Sequence, residues 1–212
     1  DIDIVVTAQN GNVKIYTTHI IKQENTNEDL TLSSLDTNRG ELTPTFNPTI
    51  LNYELMVEHD IEDITITASA FDESATIKGL GTYPLKVGKN SIPIFVVGNS
   101  QIQKDYQIVI TRKKSSDASL TNLVVKNHVL SPSFSKDITE YHLTTSKTNL
   151  EFTMINPTET DATYEIIGNQ NFQTGENTVT IKVTAPDGET TKEYKIIVEK
   201  TGSKNNNLAS LE

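Results

Sequence analysis

The chain contains no cysteine and no tryptophan among its 212 residues. Without cysteine there are no disulfide staples, so every folded part must hold by its core alone. Without tryptophan, it lacks one of the two rings on which sugar-binding surfaces commonly stack a saccharide; only tyrosine is left for that role. Basic residues are outnumbered 18 to 28 by acidic ones, giving a net charge of −10. A surface of that sign repels phosphate backbones and anionic bilayers, which argues against nucleic acid or membrane surfaces as electrostatic partners. Hydrophobic residues make up 35% of the chain and fall in short bursts. None approaches the roughly 20 residues a membrane helix needs, so no membrane insertion is expected of this stretch. No signal peptide opens the sequence, and Asp1 falls within a strand-like run. The chain therefore reads as a fragment whose targeting segments lie elsewhere.

What is present is a repeat. Leu32-x-x-Leu35 returns as Leu120-x-x-Leu123 and again as Leu208-x-x-Leu211, 88 positions apart each time. The same offset carries Leu42-x-Pro44-x-Phe46 onto Leu130-x-Pro132-x-Phe134, and Tyr53-x-Leu55 onto Tyr141-x-Leu143. It also carries Tyr106-x-Ile108-x-Ile110 onto Tyr194-x-Ile196-x-Val198, while Gly88-Lys89-Asn90 meets Gly175-Glu176-Asn177 one residue out of step. At the start, Val6-Thr7-Ala8-Gln9-Asn10-Gly11 matches Val183-Thr184-Ala185-Pro186-Asp187-Gly188, with Tyr16 at the place of Tyr194. Polar stretches without alternation mark the junctions: Lys22 to Asp29, Thr111 to Ser119 and Glu199 to Asn207. The expected organisation is the last strands of a preceding repeat at 1–24, whole repeats at 25–113 and 114–201, and 202–212 as the start of a following repeat, a linker or a cloning scar. The 14 positions from Tyr106 to Leu120 recur from Tyr194 to Leu208, so the junction length is fixed and an end-to-end arrangement is expected.

Apolar residues alternate with polar ones through most of each repeat. Examples are Tyr53, Leu55, Val57, then Ile64, Ile66, Ala68, and Val179, Ile181, Val183. A period of two puts every second side chain on one face of a pleated strand. Ile, Val, Thr and Tyr dominate these runs, and Asn47-Pro48, Asp72-Glu73 and Asp187-Gly188 punctuate them. About seven short strands per repeat predict an all-β chain of tandem immunoglobulin-like β-sandwiches.

These motifs resemble the cadherin-like β-sandwich repeats of bacterial, mainly Gram-positive, cell-surface proteins. The shared pattern is Leu32/Leu35, Leu42/Pro44/Phe46 and Tyr53/Leu55 with their counterparts, the Gly-x-Asn turn and the closing Tyr-x-Ile strand. The resemblance implies a cadherin-like sandwich fold and an extracellular, cell-surface or cell-wall setting. It implies a non-catalytic spacer or adhesive stalk module whose partners are neighbouring repeats of the same chain. The alternative is a glycan- or protein-binding module, its partner a host protein or glycan, accessory to an extracellular enzyme or adhesin. Two departures stand out: Gly40 gives way to His128, and Gly79 to Ile166. Calcium binding does not come with the name.

Side chains capable of chemistry do not assemble into a motif. His19, His59, His128 and His142 occupy unrelated repeat positions, and no Gly-x-Ser-x-Gly elbow is present. No catalytic residue is assigned. Asp60, Glu62, Asp63, the pair Asp72-Glu73 and the pair Glu28-Asp29 are the acidic candidates for a cation, but none has calcium-loop spacing. No metal site and no cofactor are assigned. Tyr16, Tyr53, Tyr106, Tyr141 and Tyr194 hold repeat positions and read as core or corner residues, which leaves Tyr83 and Tyr164 for a surface role. Lys14, Lys86 and Lys182 with Asn90 and Asn177 are the pieces an isopeptide crosslink would need. The two asparagines read instead as turn residues that hydrogen-bond the backbone.

Overall fold

The computed structural model of the chain describes residues 1–20 and 28–202. The expected Leu208/Leu211 strand and the start of a following repeat lie outside them. The alternating runs form strands and no helix occurs among the described residues, so the fold is all-β. The chain divides into two units, residues 1–57 with 62–111 and residues 58–61 with those from 112 onward.

The first unit begins with an antiparallel hairpin, β1 (Ile2–Thr7) and β2 (Val13–Thr18). Its remaining strands are β3 (Leu32–Thr37), β4 (Asn52–Val57), β5 (Asp63–Ala70), β6 (Thr76–Lys78), β7 (Gly81–Pro84), β8 (Gly88–Val97) and β9 (Gln103–Arg112). They form two sheets in the orders β3-β5-β7 and β4-β9-β8-β6. The second unit has β10 (Leu120–Val125), β11 (Glu140–Thr145), β12 (Phe152–Pro157), β13 (Thr163–Ile167), β14 (Gly175–Thr184) and β15 (Thr191–Lys200). Its sheets run β10-β12 and β11-β15-β14-β13, with β11 parallel to β15 and the other neighbours antiparallel.

Alternation decides which side chains meet. In β4, Tyr53, Leu55 and Val57 are buried while Asn52, Glu54 and Met56 are exposed. In β14, Val179, Ile181 and Val183 turn inward, and they join Leu120, Leu123, Tyr141 and Ile196 in one core drawn from both sheets. Each such side chain, fully buried, contributes about 1.5–3 kcal/mol.

The Leu-x-x-Leu signature breaks the period of two, and the structure shows why. The register slips between Leu32 and Ser34 against β5, and between Leu120 and Asn122 against β12. One extra residue, Ser33 or Thr121, bulges out and returns both leucines to the same buried side. Hydroxyls occupy the bulge: Ser33 Oγ donates to the carbonyls of Ser69 and Ala70, and Thr121 Oγ1 to that of Asn156.

Tyrosine hydroxyls tie the sheets together. Leu32 N–H donates to Tyr106 Oη at 3.1 Å, and Tyr106 donates to the Pro48 carbonyl at 3.0 Å. In the second unit Leu120 N–H donates to Tyr194 Oη at 3.0 Å, and Tyr194 donates to the Lys136 carbonyl at 3.0 Å. The first and last strands of each sandwich, on opposite sheets, are thus pinned through one buried phenol. A second tyrosine works locally: Tyr53 Oη donates to the Asn47 carbonyl and accepts its N–H, and Tyr141 does the same with Ser135.

The copies diverge where the glycines moved. Gly79 lets the chain leave β8 after three pairs, Thr76↔Val97 to Lys78↔Phe95. A Cβ on Gly79 would lie 2.2 Å from the Pro93 carbonyl oxygen. With Ile166 at that place, β13 keeps pairing with β14 as far as Ile167↔Thr180 and departs at Gly168, where a Cβ would meet Thr178 O at 2.5 Å. The two residues taken up by the longer β13 shorten the segment between it and β14, so no counterpart of β7 forms there, and among the described residues the second sandwich has six strands where β3–β9 of the first are seven. Asn169 fills in: its side-chain amide accepts Leu150 N–H and donates to Leu150 O, both at 2.8 Å. That double bond stands where β5 and β7 pair their backbones at Ile64↔Tyr83. The other departure is milder. Asn127, not His128, adopts the left-handed conformation of Gly40 (φ 61° against 70°), one place earlier in the turn.

Candidate functional site

The four histidines are dispersed. His19 is hydrogen-bonded to Asp1 and His142 lies 3.7 Å from Glu140, all four side chains largely exposed. His59 Nδ1 is 3.3 Å from the Lys113 carbonyl. His128 bridges the Lys126 carbonyl through Nδ1 and the Thr145 hydroxyl through Nε2, at 2.8 and 3.0 Å. With the proton on Nδ1, Thr145 donates to Nε2 and also accepts Lys147 N–H. This hydroxyl is committed to pinning a turn.

Carboxylates act one by one on their own backbones. Asp29, Asp72, Asp117 and Asp187 each accept an N–H two residues ahead, from Thr31, Ser74, Ser119 and Glu189. Hydroxyls of Thr31, Ser74 and Thr190 add further bonds to three of them. Bonding from Thr31, Ser74, Ser119 and Thr190 is the main cause that holds these four carboxyls below the usual aspartate range. Glu28, adjacent to Asp29 in sequence, is occupied elsewhere, accepting the N–H and hydroxyl of Ser100. Asp60, Glu62 and Asp63 are exposed. Among the described residues no three His, Cys, Asp or Glu side chains converge on a position that could hold a metal ion.

Asn90 and Asn177 close the turns ahead of β8 and β14. Asn90 accepts Lys86 N–H and donates to the carbonyls of Lys86 and Gly88; Asn177 accepts Gln173 N–H and donates to those of Gln173 and Gly175. Lys182 Nζ sits 3.8 Å from Glu165 at the surface, and Lys14 Nζ lies 5.0 Å from the Tyr16 ring centre. Neither lysine points at an asparagine amide, and both asparagines serve their turns.

Of the tyrosines at repeat positions, Tyr53, Tyr106, Tyr141 and Tyr194 are core residues. Tyr16 corrects the sequence expectation, being 50% exposed on a hairpin that no described residue buries. Of the two left for a surface role, Tyr83 is half-buried on β7 and Tyr164 is exposed on the edge strand β13, beside exposed Ile166 and Ile167. Tyr164 and Ile166 share one face of β13 and Ile167 lies on the other; on β6 the place of Tyr164 is held by the half-buried Ile77. An open concavity of about 690 Å3 is lined by Thr144, Thr145, Ser146, Thr148, Lys200 and Thr201. It contains hydroxyls and one cation, a set suited to water and weak polar contact. Asn169 and the bulge residues Ser33 and Thr121 escaped sequence reasoning. The odd spacing of Leu-x-x-Leu was the signal for the bulges; Asn169 gave none.

No helix among the described residues is long and apolar enough to cross a membrane. Residues 28–113 match the family model described as a cadherin-like beta sandwich domain. No curated protein matches the sequence. Among solved structures the chain is similar to the protocadherin gamma B2 extracellular cadherin domains 1–5, at 12% identity and TM-score 0.29, over 74% of this chain and 40% of that one. It is similar to mouse cadherin-23 EC22–24 at 9% identity and TM-score 0.32, over 78% of this chain and 67% of that one. A third likeness is to the fibronectin(III)-like modules of Clostridium thermocellum CbhA, at 8% identity and TM-score 0.24, over 84% of this chain and 100% of that one. The chain spans well under half the length of the protocadherin.

Proposed function

We propose that the chain is a non-catalytic spacer or adhesive stalk module of a secreted or wall-attached bacterial surface protein. It acts outside the cell, with its neighbouring repeats as partners. The observation that carries this reading is the paired corner: Tyr106 and Tyr194 each pin the first strand of a sandwich to its last. A unit pulled by its two ends must break that bond and open the core before it lengthens, which is the property a stalk needs. The match of residues 28–113 to a cadherin-like sandwich family supports the extracellular setting.

Single-molecule pulling of the chain tests this reading. The expected trace has two separate unfolding events, each releasing roughly 300 Å of chain, about 88 residues at 3.3–3.6 Å apiece. Extension without resistance would contradict it.

One observation favours a second reading, a glycan- or protein-binding module. Tyr164 and Ile166 stand exposed on one face of the edge strand β13, where the first unit has the half-buried Ile77 and then Gly79. Saturable binding on an array of glycans and matrix proteins, lost in Tyr164→Ser, would establish that reading instead.

A further inference from the structure

The hairpin at the start of the chain is built like the one that closes each sandwich. Ile4 faces Tyr16 and Val6 faces Lys14 in β1–β2, as Ile181 faces Tyr194 and Val183 faces Lys192 in β14–β15. The turns make the same two kinds of backbone bond, closing three residues in the first and four in the second. Ala8 N–H reaches Asn12 O and Gly11 N–H reaches Ala8 O; Ala185 N–H reaches Thr190 O and Gly188 N–H reaches Ala185 O. Gly11 and Gly188 share the left-handed conformation, at φ 84° and 80°. The turn from β8 to β9 repeats it with Gly98 and Gln101. In all three hairpins a lysine lies over the tyrosine ring two residues on: Lys14 at 5.0 Å, Lys104 at 5.8 Å and Lys192 at 5.2 Å.

Their burial differs. Val179, Ile181, Val183 and Tyr194 are fully buried, and their counterparts Ile2, Ile4, Val6 and Tyr16 are each about half exposed, at 50–54%. The opposite face of the hairpin carries Val5 and Ile15, at the places where the second unit has the outward-facing pair Lys182 and Glu193. The face that complete units bury is therefore the one bearing Ile2, Ile4, Val6 and Tyr16. A four-residue apolar face with a phenol at its centre is a docking surface.

We propose that this face docks an open sandwich of the same kind, a polypeptide segment supplying strands with the chemistry of β10 to β13 and lacking its own closing hairpin. The complete units show what such a segment brings. Its first strand, like β10, packs a Leu-x-x-Leu pair against the face and donates one backbone N–H to Tyr16 Oη, as Leu120 does to Tyr194. The sandwich strands of a second copy of this chain cannot serve without unfolding, because β3–β7 and β10–β13 are already closed by β8–β9 and β14–β15.

The test extends the full chain by placing a second copy of residues 114–177 directly ahead of Asp1. Asp1 stands at the place of Thr178, so the fusion keeps the spacing of the second unit. Hydrogen exchange of peptides covering residues 2–18 is then compared with and without the extension. The expected result is exchange slowed by at least about 100-fold in the fusion. That protection disappears in the Ile4→Lys fusion and survives in the Val5→Lys fusion, since lysine already occupies the latter place in the second unit. Equal exchange with and without the extension would overturn the proposal, as would loss of protection in both variants. Concentration-dependent protection of residues 2–18 in the unextended chain would also overturn it, because a second copy would then be the occupant.

Discussion

Each of the four buried phenols has its hydroxyl matched to a backbone group, and the burial of the ring makes that match necessary. In Tyr106→Phe or Tyr194→Phe, a buried leucine N–H loses its acceptor. Each change is expected to lower the stability of its own unit by about 1–3 kcal/mol, read from urea denaturation. Aspartates set the acid limit. Asp29, Asp72, Asp117 and Asp187 have carboxyls held below their ordinary values by hydroxyl and backbone donors. A depressed value contributes stability above the unfolded pKa, about 3.9, and that stability is lost as pH falls through the folded value. Melting temperature is therefore expected to drop below about pH 4, and the quadruple Asp→Asn variant should show a flatter acid limb. Burial pushes the Tyr53 and Tyr141 phenols upward. Their contribution is complete below about pH 10 and is lost as pH rises through the raised values, giving an alkaline limit as well. The tyrosine positions were legible in the repeat. Their partners were not, since Leu32 and Leu120 lie 74 residues before the phenols they meet.

Strands were legible wherever alternation was clean, as in β4 and β14, because burial of one face dictates the pattern. The bulged strands were legible only as a motif. Leu-x-x-Leu is the trace of an inserted residue, and two leucines three apart can share a face only if one residue steps out of register. Deleting Ser33 should remove the bulge and leave Leu32 and Leu35 two apart on one face of a regular strand, in unchanged register against β5, so the denaturation midpoint of the first unit should fall by no more than the equivalent of about 1–2 kcal/mol. The β6–β7 region was the least legible. Sequence comparison sees Ile166 in place of Gly79 and anticipates a changed turn. It cannot see that Gly168 takes over the close approach to the neighbouring strand, or that an asparagine side chain then substitutes for a strand. Both depend on backbone distances across the sheet. Gly168→Ala is expected to destabilise the second unit by at least about 1–2 kcal/mol, through a left-handed φ and contact with Thr178 O, and to leave the first unit unchanged.

At the scale of the whole chain, the same core and the same corner are made twice from residues 88 positions apart, and a third copy of the closing hairpin stands uncovered. Among the described residues no three His, Cys, Asp or Glu side chains converge on a metal position. The account stands on each sandwich closing its own core. The most direct measurement is hydrogen exchange, resolved by peptide, on chains carrying Ile108→Ala or Ile196→Ala. Both side chains are fully buried at equivalent positions, one in each unit. Ile108→Ala should speed exchange in β3–β9 by the equivalent of about 2–5 kcal/mol and leave β10–β15 at the parent rate, and Ile196→Ala should do the reverse. If either substitution loosens both units equally, the sandwiches do not close their own cores and the account fails.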